Sequence, residues 1–93
     1  MDRMVLRQNR PNPFNPVTNI GFGIKEQGYI SLRIYDVAGR LVCTLVDGNR
    51  QAGWHETTWN GFDETGRPAA SGVYFCRLVS HDSRRTIKMI LLR

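Results

Sequence analysis

Much of what marks an enzyme, a membrane-spanning protein or a nucleic-acid reader is missing from this 93-residue chain. Its longest apolar runs, such as residues 89–92, fall far below the ~20 residues a transmembrane helix needs. The opening Met1-Asp-Arg-Met4 has no apolar signal-peptide core and reads as the cut edge of a longer protein. There are only two cysteines, Cys43 and Cys76, and they lack the CxxC spacing of a zinc or redox site. His55 could share a metal with either thiol, but no fourth ligand suggests itself. No window keeps a helical period for three turns, so no phosphate-cradling loop opens onto a helix and no basic helix can enter a groove. Acidic residues are scarce: eight against thirteen Lys and Arg, a net charge of +5. The eleven arginines are scattered, and only Arg84 and Arg85 adjoin. That scatter describes a soluble cationic surface without a nucleic-acid footprint, compatible with weak attraction to anionic surface polysaccharide.

What the chain does have is alternation. Ile20, Phe22 and Ile24 alternate with Asn19, Gly21 and Gly23; Ile30, Leu32 and Ile34 alternate with Ser31, Arg33 and Tyr35. Tyr74, Cys76 and Leu78 repeat the pattern, as do Ile87, Met89 and Leu91. A period of two marks strands with one face on a core. Strands are predicted over 4–8, 18–24, 29–36, 41–46, 55–59, 72–79 and 84–92. Asp36-Val-Ala-Gly-Arg40 and Ser80-His-Asp-Ser83 read as hairpin turns, 47–53 as a loop and 60–72 as the longest loop. Ninety-three residues make a single domain, 1–93, whose small core buries about 60–65% of the unfolded surface. The spacing predicts an all-β, immunoglobulin/fibronectin-III-like sandwich of about seven antiparallel strands. Strands one, two and five are expected in one sheet, and four, three, six and seven in the other. Cys43 and Cys76 then lie two strands apart, beyond the ~5.5 Å Cα separation of a disulfide, and act as small hydrophobes.

The run Gln8-Asn-Arg-Pro-Asn-Pro-Phe-Asn-Pro16 stands out from this pattern. Pro11, Pro13 and Pro16 lack a backbone N–H and fix φ, which bars the run from a sheet interior or a helix. Residues 9–16 are therefore a stiff crossover with Phe14 as its apolar anchor. Trp59 reads as a core anchor whose indole N–H finds a backbone acceptor, and Trp54 as exposed. Asn60, Asp63 and Glu64 could offer oxygens to calcium, but their spacing is not that of an EF-hand; the alternative is that Asn60 and Asp63 accept backbone N–H bonds and hold the loop. His81, Asp82 and Ser83 are triad residue types at adjacent turn positions, where they cannot converge on one reacting atom. Tyr74 faces the core by alternation, with Gly72 letting the chain approach closely. Lys88 points outward, either solvated or free for a partner, and the last strand could offer its edge for β-augmentation. No cofactor or metal is expected, and no nucleophile, base and orienting group assemble.

Taken in order, Gln8-Asn-x-Pro-Asn-Pro-Phe-Asn-Pro16, Tyr35-Asp-Val-x-Gly-Arg40, Trp59-Asn-Gly-x-Asp63, Gly66-Arg-Pro, Ser71-Gly-Val-Tyr74 and Lys88-Met-Ile-Leu-Leu-Arg93 resemble the type A C-terminal sorting domain of the type IX secretion system. That family overlaps the immunoglobulin-like domain of flagellar hook-capping proteins. The resemblance implies a non-catalytic sandwich at the C-terminus of a larger secreted protein. A cargo would precede residue 1, pass through the periplasm and reach the cell surface or the medium. The implied partners are the outer-membrane export machinery and a sortase-like protease. The implied recognition residues are Gly72, Tyr74, Lys88, Met89, Leu91 and Arg93. The implied structural motif is Pro11, Asn12, Pro13, Phe14, Asn15 and Pro16, with Trp59 and Asp63. Two other functions remain open: a carbohydrate-binding or accessory module of a secreted hydrolase, carried by Trp54, and a hook-capping-type assembly domain.

Overall fold

A computed structural model describes residues 3–93, leaving Met1 and Asp2, with the reading of the first residues as a cut edge, outside the described part. Seven strands follow in chain order: β1 Val5–Leu6, β2 Thr18–Ile24, β3 Gly28–Asp36, β4 Leu41–Arg50, β5 Gly53–Trp59, β6 Gly72–Val79 and β7 Arg84–Leu91. They form two sheets, β1-β2-β5 and β4-β3-β6-β7, with every strand pair antiparallel. This is the all-β immunoglobulin-like sandwich that the alternation predicts, with the expected strand order. Among the described residues no helix forms, so none is long and apolar enough to cross a membrane.

The core lies between the sheets. Ile20, Phe22 and Ile24 of β2 face Ile30, Leu32 and Ile34 of β3, with Cys76, Leu78, Met89 and Leu91 filling the rest of the four-stranded side. Fully burying each large apolar side chain contributes about 1.5–3 kcal/mol. Glycines at 21 and 23 on the outer face of β2 leave a shallow floor there. Arg7 crosses it, so that its guanidinium stacks 4.1 Å from the centre of the Trp54 ring.

Several boundaries differ from the sequence reading, β3 starting at Gly28 and β5 at Gly53 among them. β1 is only two residues long: regular pairing with β2 covers Val5 and Leu6, after which separate backbone bonds from Arg7 to Gly21 and between Arg10 and Asn19 continue along β2. β7 ends at Leu91. The expected loop 47–53 is largely strand: Asp47, Gly48, Asn49 and Arg50 pair with Ser31, Ile30, Tyr29 and Gly28. This end of the β3–β4 hairpin is held by backbone hydrogen bonds while most of its side chains face water, so its sequence shows no apolar alternation. Only Gln51 and Ala52 then carry the chain across to the other sheet.

Candidate functional site

The proline-rich run is a strap that crosses from one sheet to the other. It starts along β2, where Arg10 and Asn19 exchange backbone hydrogen bonds of 2.9 and 2.7 Å. Asn9 is buried beneath it and donates to the Thr18 hydroxyl (2.9 Å) and to the Pro11 carbonyl (3.1 Å). The Thr18 hydroxyl also donates to Pro11 O at 2.9 Å. The peptide bonds preceding Pro11, Pro13 and Pro16 are cis. The strap then reaches the outer edge of β7. Gln8 Nε2 donates to Lys88 O (2.7 Å), and Asn12 Oδ1 accepts from Ile90 N (2.9 Å). Phe14 N donates to Ile90 O (3.0 Å), and Leu92 N donates to Phe14 O (2.9 Å). The β7 edge from the Lys88 carbonyl to the Leu92 amide is thus largely occupied from within the chain. Augmentation of that edge by a partner strand, which the sequence left possible, finds the outward groups of Ile90 and the Leu92 amide already bonded. The physical reason is that an edge strand with unpaired N–H and C=O groups needs covering, and the strap supplies the cover.

Under the strap three aromatic rings meet. Phe14 (2% exposed) packs against Trp59 (1% exposed), with centroids 5.6 Å apart. Trp59 meets Tyr74 edge-on at 5.2 Å. Each polar tip is satisfied: the Trp59 indole N–H donates to Phe62 O (3.0 Å), and the Tyr74 hydroxyl donates to Ala70 O (2.6 Å). Burial pushes the Tyr74 phenol above its ordinary pKa; the Asp36 charge adds to this and the Arg93 charge opposes it. Both aromatics therefore bind the 60–72 loop to the sandwich.

Within that loop the carboxylates and amides are tied into backbone hydrogen bonds. Asn60 Oδ1 accepts from Phe62 N (3.1 Å). Asp63 Oδ1 accepts from Thr65 N (2.9 Å), Thr65 Oγ1 (2.7 Å) and Arg67 N (3.0 Å). The Thr65 hydroxyl, followed by the Arg67 amide, holds the Asp63 carboxyl below the usual range. Glu64 caps the start of β4: its N–H donates to Val42 O (2.9 Å) and its Oε1 accepts from Thr44 N (2.7 Å). Among the described residues no three His, Cys, Asp or Glu side chains gather as a metal site.

Arg93 closes the loop from the other side. Its Nε donates to Ala69 O (2.6 Å), its Nη2 to Gly61 O (2.5 Å), and its backbone N to Ser71 Oγ (2.8 Å). Gly61 is required at this point. Its φ is +80°, and a Cβ there would lie 2.9 Å from Arg93 Nη2 and 3.0 Å from Pro16. Nothing in the sequence announced this latch, because a terminal arginine reads as solvated.

The residues named from the sequence therefore divide. Tyr74, Met89 and Leu91 are buried and pack inside. Arg93 grips the loop. Lys88 is exposed opposite Phe75. Gly72 sits at φ +155° with open space where a Cβ would go, so the close approach expected there is absent and the backbone angle is what favours glycine. Pro11, Asn12, Phe14, Pro16, Trp59 and Asp63 converge on one end of the sandwich, while Pro13 and Asn15 are exposed linking residues of the strap. Cys43 and Cys76 flank Ile34 on either side of β3 as free buried thiols, each pushed up to about 12 mainly by burial. Asp82 bonds Ser80 Oγ (3.1 Å) in the β6–β7 turn, as a turn residue does. Trp54 is 54% exposed, with Arg7 stacked against its ring.

A family model described as the FlgD Ig-like domain matches residues 18–83. Among solved structures the chain is similar to dimeric latent PorU from Porphyromonas gingivalis, with a TM-score of 0.70 at 20% identity. It is also similar to PorZ of the same organism, described as an essential bacterial surface component of the type-IX secretion system, with a TM-score of 0.60 at 21% identity. Both matches cover 99% of this chain but only 10% and 12% of the two longer ones. At such identities the likeness is one of fold. No curated protein sequence matches the chain.

Proposed function

The chain belongs to the FlgD Ig-like domain family, and on that premise we propose that it is a non-catalytic C-terminal sorting domain of the type IX pathway. In this reading it directs an upstream cargo across the outer membrane to the cell surface or the medium. Its partners are the export machinery and a sortase-like protease. The observation that carries the reading is the convergence of its motifs. The strap, Trp59, the 60–72 loop, Tyr74 and the final residues to Arg93 interlock at one end of the sandwich, and the last residues are the closing piece. The fold shared with a surface component of that secretion system supports it. Among the proposed recognition residues, Lys88 offers an exposed charge for direct contact. Tyr74, Met89, Leu91 and Arg93 act by keeping the end folded, and Gly72 by its backbone angle.

The test is fusion of residues 1–93 to a periplasmic reporter in a type IX-competent host. Surface delivery is expected, lost on deletion of the last six residues and reduced by Lys88→Glu with the domain still folded. A folded fusion that stays in the periplasm overturns the reading. The family match itself favours one other function, a hook-capping-type assembly domain, for which flagellar genes beside the parent gene are the discriminating observation.

A further inference from the structure

The outer face of the β4-β3-β6-β7 sheet carries an arrangement that packing does not explain. Residues directly opposite on antiparallel strands share a face. Arg33 lies opposite Arg77, and Arg77 opposite Thr86. Two residues along, Tyr35, Phe75 and Lys88 form a continuous row, and at the other end Val79 faces Arg84. The intervening residues Ile34, Cys76 and Leu78 are buried, so these rows look outward. Like charges directly opposite one another repel. Of the carboxylates nearby, one pairs with Arg33 and none with Arg77. Asp47 stands 3.9 Å from Arg33 and also accepts the Tyr29 hydroxyl. Asp36 is engaged by Ala38 and Arg40 in its own turn. Arg77 has no carboxylate. Its guanidinium lies 5.0 Å from the Tyr35 ring centre, and its Nε is buried with no hydrogen-bond partner among the described residues. A depression of about 340 Å³ opens beside it, lined by Tyr35, Phe75, Arg77 and Thr86 together with Asp36 and the turn that follows it.

We propose that this face docks an acidic segment of a partner protein, with one carboxylate seated between Arg33 and Arg77. Charge selects the partner: Arg33, Arg77, Arg84 and Lys88 face outward, and of the carboxylates at the margins Asp47 pairs with Arg33 while Asp36 and Asp82 are held in their own turns. A second copy of this chain would bring the same sign to the same place. The apolar content selects a protein over a bare polyanion. Tyr35 and Phe75, with half-buried Val73 and Ile90, form the aromatic and aliphatic ground that anchors protein interfaces around arginine. A polysaccharide would use the cations and leave that ground uncovered. The face would dock such a segment whether or not the domain serves as a sorting label.

The test is titration of the isotope-labelled domain at low salt, followed by amide NMR shifts. The probe is a synthetic peptide in which Glu is interspersed with Leu and Tyr. The comparisons are the same peptide with Gln for Glu, and polygalacturonate. Shifts are expected on β3, β6 and β7 with the acidic peptide only. Arg77→Gln is expected to weaken binding by ~10-fold or more, the size of effect seen for closely coupled charge pairs. Its Tm should be unchanged or higher, because the repulsion with Arg33 is relieved. Absence of shifts, shifts confined to other strands, binding untouched by Arg77→Gln, an equal response to polygalacturonate, or a Tm lowered by that substitution would each overturn the proposal.

Discussion

At Tyr74 the ring and the hydroxyl perform separable tasks. The ring fills the space beside Trp59, and the hydroxyl holds Ala70 O. Tyr74→Phe keeps the first and removes the second, so it is expected to cost about 0.5–1.5 kcal/mol. Tyr74→Ala leaves a cavity and is expected to cost about 3–5 kcal/mol. Urea unfolding of the two variants distinguishes them. Asp63 offers a second test at this scale. Its carboxyl is held below the ordinary value chiefly by the Thr65 hydroxyl. The stability it contributes is therefore present above the unfolded value near 3.8 and is lost as pH falls through the lower folded value. Asp63→Asn keeps an acceptor but removes the charge. Its stability should fall less steeply than the parent's in a melting series taken downward from about pH 5.

The strap makes its own prediction as an element. Asn12 and Phe14 supply the partners of the outward backbone groups of Ile90 and Leu92. Asn12→Ala should speed hydrogen exchange at the Ile90 amide, while exchange in β3 stays at the parent rate. Phe14→Ala should loosen both positions and cost about 3–5 kcal/mol, because the ring is buried against Trp59. The elements differ in how plainly the sequence shows them. β2, β3, β6 and β7 carry apolar residues at every second position because one face meets the core, and their pairing and sheet order follow. The far end of β4 does not, since Asp47, Asn49 and Arg50 are held by backbone pairing beyond the core. The aromatic cluster was legible because large rings at alternating positions have to be buried. The role of the strap on the β7 edge was not, because it uses side-chain amides and single backbone groups that leave no periodic trace.

Across the molecule, segments far apart in the sequence meet. Gln8, Asn12 and Phe14 reach β7, and Arg93 reaches back to Gly61 and Ala69. Arg93→Lys keeps the charge but loses the planar fork that serves two carbonyls. It should leave the β-sheet circular dichroism intact while the 60–72 loop becomes more susceptible to limited proteolysis. Arg93→Ala should lower overall stability by about 1–3 kcal/mol in the same denaturation assay.

The grip of Arg93 on the 60–72 loop also sets when this domain can finish folding. A nascent polypeptide emerges from the ribosome amino end first, so the strap waits without its β7 partner and the loop waits without its latch until residues 84–93 have been made. During that interval the three aromatic rings are only partly enclosed. The newborn chain is then at its most pliable and most accessible to chaperones, and it becomes compact once those residues are in place.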